Sequence, residues 1–409
     1  MNVDQIDLRS TPDTPDARPE TATDDNVPGP SQRRQYFLLL DVVRAVAVLI
    51  VVVSHSSPRL LQLDQPIGIG WAGVLVFFVL SGFLITFLLV EEQQSTGGIS
   101  LRDFFIRRGL RIWPLYYAVL ATYAFVLPNF DSITFGGVFV SHDELGWDAY
   151  RSALWAHVFF LQNYFVSVTD VRLGLGVFWS LAVEEHFYLF WPVLVKLLPS
   201  KILGRTTLGL LGGATVVTFL YSSGRIAAGA EWSHWTHTNA YALLAGCSIG
   251  ILWARSRERV REIPNRLGFA LLVAGSVLVL SATLSSSGLV GGQRLVPVLI
   301  PGRMNFQLPV VLGSVLLILG CLVLPNWNLE ARAFTRQFVK IGKVSYGIYL
   351  THALVIGLLG AALRRRPAGI YQELSFTLGG IYLSVLLANS IYANFERPLL
   401  DAKKKFQRF

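Results

Sequence analysis

Apolar residues run almost unbroken from Leu38 to Val53, and the only charges inside that run are Asp41 and Arg44. Apolar stretches of similar length recur along the whole chain, too many for one or two buried core helices. They predict ten membrane-spanning helices, at 37–56, 67–90, 112–128, 178–198, 206–223, 238–254, 267–287, 307–325, 344–362 and 374–395. The fold expected is therefore an all-α integral membrane protein, a bundle of about ten transmembrane helices. Residues 1–35 are polar, rich in Pro, Asp and Thr, and lack an apolar signal-peptide core, so they read as a disordered cytoplasmic tail. The membrane domain then covers 36–398, and 399–409 forms a basic cytoplasmic tail. One stretch, Ala153 to Val166, is apolar but too short to cross comfortably. It predicts a re-entrant or interfacial segment, since a crossing there would invert everything downstream.

Composition agrees. Hydrophobic residues make up 53% of the chain and charged ones 15%, whereas soluble domains hold about 25% charged residues; mean hydropathy is +0.50. Orientation follows from the basic residues. With the N-terminus inside, 25 Lys and Arg fall on the cytoplasmic side and 9 outside, and Arg44 lies within the membrane. That asymmetry obeys the positive-inside rule and places both termini in the cytoplasm of a multi-pass cell-membrane protein. The Arg364–Arg366 triplet is the local exception. The net charge of +9 is thus a matter of topology and anionic lipid, and no nucleic-acid partner is expected. Cys247 and Cys321 each sit in an apolar run without CxxC spacing, which predicts packing residues and no metal site.

Chemistry concentrates at a few positions. His55 follows Arg44 by eleven residues, so on a helix the two side chains point within about 20° of each other, about 16 Å apart along the axis. Ionisable groups on one face of a membrane helix need partners or a wet cavity, and they mark a candidate functional site. Arg107, Arg108 and Arg111 cluster at helical spacing before Pro114. Guanidinium forks suit phosphate, while every cytoplasmic loop here is basic, and the residues alone weigh these two readings equally. The run Phe178 to Tyr188 places Glu184, Glu185 and His186 at the start of an apolar helix. Acidic residues favour helix N-termini, yet this end shares the outer side with His55, which favours a functional reading. Ser81-Gly82 reads as a close helix crossing. His352 is intramembrane and either lines a cavity or is a hydrogen-bonded structural histidine. Asn394 to Pro398 reads as a charged helix end stopped by proline.

Taken in order, Arg44-x10-His55, FFVLSGFLI, the arginine cluster, WSLAVEEHFYLFWP, SYGIYLTH and FERP resemble the acyltransferase-3 family of integral membrane O-acyltransferases, over about Tyr36 to Pro398. That resemblance implies a ten-helix enzyme that moves an acyl group from acyl-CoA, with no metal, onto a hydroxyl of a glycan, glycolipid or macrolide-like metabolite. It implies His55 as catalytic histidine with Arg44 as its partner, Arg107, Arg108 and Arg111 at the donor site, and Glu184 as the matching acid. Trp179, Ser180, Tyr188 and His352 are candidate substrate-binding residues. Where relatives often read THTRADALL, Thr236 to Leu244 reads THTNAYALL, so Asn239 and Tyr241 replace an Arg and an Asp. This departure, with no soluble hydrolase-like segment in the chain, tilts the expected acceptor toward smaller molecules.

The chemistry fits such a reaction. A hydroxyl attacks a thioester slowly near neutral pH without a positioned base, and histidine supplies about 10²–10⁴-fold. Glu184 is then expected to orient the imidazole or stabilise the imidazolium. The distance from Arg44 to His55 matches an extended pantetheine arm, so coenzyme A phosphates on the cytoplasmic arginines would deliver the thioester to His55. A polytopic transporter for a small anionic or sugar-like solute is the rival reading. It would show broken helices in two matching repeats, and the chain has no convincing internal repeat.

Overall fold

The computed structural model describes residues 37–56, 67–126, 147–169, 176–286, 303–324, 333–363 and 369–403. The polar segment 1–35 and the Arg364–Arg366 triplet lie outside them. Tyr36–Phe409 forms one compact unit. Among the described residues every regular element is helical. In chain order these are α1 (Leu38–Ser56), α2 (Ile67–Thr96), α3 (Leu101–Ala121), α4 (Trp147–Val158), α5 (Gln162–Thr169), α6 (Trp179–Leu197) and α7 (Ser200–Ser222). There follow α8 (Thr236–Arg261), α9 (Asn265–Ser286), α10 (Met304–Val323), α11 (Ala333–Lys343), α12 (Ser345–Ala362), α13 (Ile370–Ile391) and α14 (Arg397–Lys403).

Seven of these, α1, α2, α7, α9, α10, α12 and α13, are long and apolar enough to cross a membrane. The other three expected spans correspond to α3, α6 and α8, which are helical but more polar. The physical reason is position. α6 holds Glu184 and Glu185 half-buried against neighbouring helices, bonded to Ser81 and Trp113, and the first turn of α8 buries Thr238 and Asn239. A helix whose polar face is covered by protein does not need the hydropathy that lipid contact demands. The lipid-facing signal is strongest instead on α7, α9 and α13, whose apolar side chains such as Leu208, Phe269, Val273 and Leu378 are exposed.

Close packing sets the frame around the site. A Cβ on Gly82 of α2 would collide with the backbone carbonyl of Leu243, and one on Gly246 of α8 would collide with that of Val79. These reciprocal glycines let α2 and α8 cross backbone to backbone, as small residues do where helices lack a hydrophobic drive to associate. Gly82 thus serves the crossing expected of Ser81-Gly82, while Ser81 has a different task. α1 runs antiparallel to α2: Gly70 abuts Ser54, and Gly73 abuts Ala47 and Val51.

The Ala153–Val166 stretch forms α4 and α5, a helical hairpin too short in either arm to span. It turns at Phe160, which has φ +57°. The bonds Leu161 N to Ala156 O at 2.7 Å and Phe160 N to His157 O at 3.2 Å close a Schellman motif. Glycine usually occupies that left-handed position. Here a phenylalanine is held in it by its ring, whose centroid lies 4.4 Å from that of Tyr116.

Candidate active site

The side chains singled out by the sequence separate into two groups along α1. At one end lies His55. Its Nδ1 is 2.8 Å from Val51 O, one turn back on its own helix. A carbonyl only accepts, so in the neutral ring Nδ1 carries the proton and Nε2 keeps its lone pair. Ser54 Oγ, 3.2 Å from the same nitrogen, donates its own proton to Val51 O at 2.8 Å. The His55 side chain is exposed, unlike Ser54 and Ser56 on either side of it. A histidine with one nitrogen pinned to backbone and the other free and reachable has the form of a general base.

The His352 ring meets that of His55 edge to face, with centroids 5.0 Å apart and planes at 68°. His352 is fully buried, and its Nδ1 donates to Tyr349 O at 2.7 Å. Tyr349 Oη in turn donates to Val177 O at 2.9 Å and lies 2.6 Å from Ser180 Oγ. Beside this end, Trp71 stacks on Trp179 at 4.6 Å, and His234 packs against both. Of the expected substrate-binding residues, Trp179, Ser180 and His352 therefore belong with His55.

At the other end gather the charges. Arg44 is bonded to Asp41 at 2.5 Å, one turn back. Arg111 is exposed and lies in electrostatic range of Arg44, Asp41, Tyr188 and Glu396. Arg108 places its guanidinium 5.4 Å from the ring centroid of Tyr188 and 5.9 Å from that of Phe104. Glu184 accepts from Ser81 Oγ at 2.5 Å and from Tyr188 Oη at 3.2 Å. Both Arg108 and Arg111 lie in electrostatic range of that carboxylate.

Three expectations change. Arg44 shares its helix face with His55 but bonds to Asp41, because about 16 Å of helix is beyond the reach of either side chain. Glu184 binds Ser81 and Tyr188 and has no bond to His55. The antiparallel register explains this: Gly70 is level with Ser54, so Ser81, eleven residues further along α2, is level with the Asp41–Arg44 end. Arg107, expected with the donor arginines, is buried and donates to Glu92 at 2.8 Å, and the same carboxylate accepts from Ser100 N at 3.0 Å. Arg107 closes the corner between α2 and α3. On a helix it points about 100° away from Arg108, which leaves Arg108 and Arg111 facing the charged cluster.

The structure also recruits residues that pattern reading assigned elsewhere. Glu396, taken as a plain helix end, sits in a π-helical turn over Tyr392–Glu396 that brings its carboxyl near Gly347 and within electrostatic range of Arg111. π-turns are frequent at functional sites, but no local sequence signal marks this one. Asn239 is buried and donates to Ser233 O at 2.7 Å and Trp235 O at 2.8 Å, and Tyr241 is buried as well. Asn239 thus folds the start of α8. Among the described residues no group of three or more His, Cys, Asp or Glu is placed to hold a metal ion.

Comparison with known proteins follows the same lines. The pattern of the acyltransferase-3 family, described as an acyltransferase domain, matches residues 37–391. The chain is 30% identical over 360 residues to the peptidoglycan O-acetyltransferase OatA of Listeria monocytogenes, covering 83% of this chain and 53% of that protein. It is 29% identical over 379 residues to YrhL of Bacillus subtilis, provisionally named a peptidoglycan O-acetyltransferase, covering 90% of this chain and 56% of that one. A Staphylococcus aureus protein provisionally named an O-acetyltransferase is 28% identical over 392 residues, at 90% and 58% coverage. The chain thus spans a little over half the length of these curated relatives. No solved structure matches it.

Proposed function

The chain belongs to the acyltransferase-3 family, and on that premise we propose that it is a membrane O-acetyltransferase with His55 as the general base. The acetyl group comes from acetyl-CoA, and the acceptor is a hydroxyl of a cell-wall glycan, the substrate class named for its relatives. The observation that carries this reading is the division of α1 into a cationic end and a basic end. Arg44, Arg108 and Arg111 gather at one, and the free Nε2 of His55 stands at the other, about 16 Å away. Phosphates of the donor bind the arginines, whose forks match phosphate oxygens. The pantetheine arm then runs along α1 and presents the thioester beside His55.

The step balances within that geometry. The acceptor oxygen bonds to the acyl carbon as its proton moves to His55 Nε2. The C–S bond breaks, and the imidazolium returns the proton to the departing thiolate. Orientation follows from charge asymmetry: the N-terminus is inside, α3, α6 and α8 complete a set of ten crossings, and the donor enters from the cytoplasm. The acceptor approaches the His55 end from outside, past Trp71 and Trp179. A solute transporter is not favoured, since family and relatives are transferases.

The test is acetyl transfer by the purified chain in detergent or nanodiscs, from radiolabelled acetyl-CoA to peptidoglycan fragments, with glycolipid and macrolide acceptors alongside. His55→Ala should abolish transfer while the protein still inserts and purifies. Full activity in that variant would remove His55 from the chemistry.

A further inference from the structure

His352 is a buried, ionisable residue to which the transfer step above gives no task. Its side chain is fully buried, yet only half of its polar capacity is satisfied. Nδ1 is tied to Tyr349 O, whereas Nε2 is sealed from solvent and has no hydrogen-bond partner. A buried nitrogen lone pair left unpaired forfeits the hydrogen bond it would make with water. For packing alone, a leucine or phenylalanine would fill the same volume at no such cost. The His55 ring stands against it, at 5.0 Å between centroids and 68° between planes. Tyr349 also touches the His352 ring, at 5.9 Å, but its hydroxyl is engaged with Val177 O and Ser180.

We propose that His352 is a positioning residue for the base: it holds the His55 ring in the orientation that exposes Nε2 and stabilises the imidazolium formed when His55 takes the acceptor's proton. The proposal rests on His55 being the base. Unlike that of His55, the Nε2 of His352 is sealed inside the protein, and this burial keeps the substrate proton from it. What it offers is a fixed, neutral, polarisable ring with an uncommitted lone pair, in a site where surrounding protein strengthens such electrostatic contacts. The second anchoring chain, from Ser180 through Tyr349 to the His352 backbone turn, fixes α12 against the start of α6. The orientation of His352 is therefore inherited from two helices rather than from its own rotamer alone.

The experiment compares His55→Ala, His352→Phe and His352→Asn in purified protein, by steady-state kinetics and by the rate at which diethyl pyrocarbonate carbethoxylates His55, read by mass spectrometry. Phenylalanine keeps the ring and its edge-to-face packing but removes both nitrogens. Asparagine keeps a donor for Tyr349 O. The expected result for His352→Phe is a kcat lower by tenfold or more, a KM for acetyl-CoA within twofold of the parent, and slower labelling of His55. His352→Asn should recover part of both losses. If His352→Phe retains parental kcat and labelling while His55→Ala is inactive, the positioning role is overturned and the base assignment stands. Activity retained in His55→Ala overturns the base assignment and this inference together. Because carbethoxylation is read at His55 itself, a His352 variant with altered folding is recognised by changed labelling at the exposed His237, at the start of α8.

Discussion

Arg44 and His55 lie on the same face of α1, yet each is bonded only to its own end of the helix, Arg44 to Asp41 at 2.5 Å and His55 to Val51 O at 2.8 Å. In the proposed mechanism they are the two termini of the donor path rather than a catalytic pair. Their substitutions should therefore fail differently. Arg44→Gln is expected to raise the KM for acetyl-CoA about tenfold, the loss of roughly one charge-assisted phosphate contact, with kcat nearly unchanged. His55→Ala should lower kcat by about 10²-fold or more, with donor binding retained. Equilibrium binding of coenzyme A to each variant separates the two.

Neighbouring arginines of α3 should diverge as well. Arg107 is buried against Glu92, and removing it strands a carboxylate that is 1% exposed. Loss of one partner of a buried pair costs about 3–5 kcal/mol. Arg107→Ala is thus expected to lower thermal stability and yield in detergent. Arg108→Ala leaves no such orphan and should fold normally while raising the KM for acetyl-CoA several-fold. Thermal unfolding followed by tryptophan fluorescence, paired with kinetics, distinguishes them. Equal stability of the two variants would refute the division of roles.

Glu184 offers a test of where the acid acts. Its carboxylate faces Ser81, Tyr188 and the arginines and makes no bond to His55. Glu184→Gln keeps the shape and removes a negative charge from the proposed phosphate site. The KM for acetyl-CoA should fall or stay level, and kcat should drop less than tenfold. A loss as deep as that of His55→Ala would show instead that Glu184 serves the imidazole directly.

The α2–α8 crossing admits no side chain at two positions. Gly82→Val and Gly246→Val each place a branched group against a backbone carbonyl that cannot move without parting the helices. Either should abolish folded protein, judged by monodisperse elution in detergent. Gly212→Val on α7, where no atom lies within 4 Å of the added carbon, should not.

Much of this protein was legible in its residues. Apolar period and length located the seven helices long and apolar enough to cross a membrane, because hydrocarbon imposes a composition that local sequence must satisfy; α3 begins eleven residues before the expected span. α3, α6 and α8 are helical where spans were expected, although their hydropathy is weaker. That the Ala153–Val166 stretch forms no long helix was legible from its shortness, but its turn was not: a phenylalanine with positive φ carries no local signal and packs on Tyr116 of α3. His55 stood out as an ionisable residue at the end of an apolar run, whereas the cluster of Arg107, Arg108 and Arg111 did not separate itself from the other basic loops. Helix geometry even gave the spacing from Arg44 to His55.

What sequence periodicity determined, then, were the elements, their faces and the residues able to do chemistry. Which of those residues meet was decided by tertiary structure alone. The antiparallel register of α1 and α2 sends Ser81, and with it Glu184, to the cationic end; a buried corner claims Arg107; α12 brings His352 onto His55, and a π-turn folds Glu396 back toward Arg111. Each of these depends on how far one helix slides along another. That is set by packing between residues tens to hundreds apart, on which the pattern within any single helix bears no information.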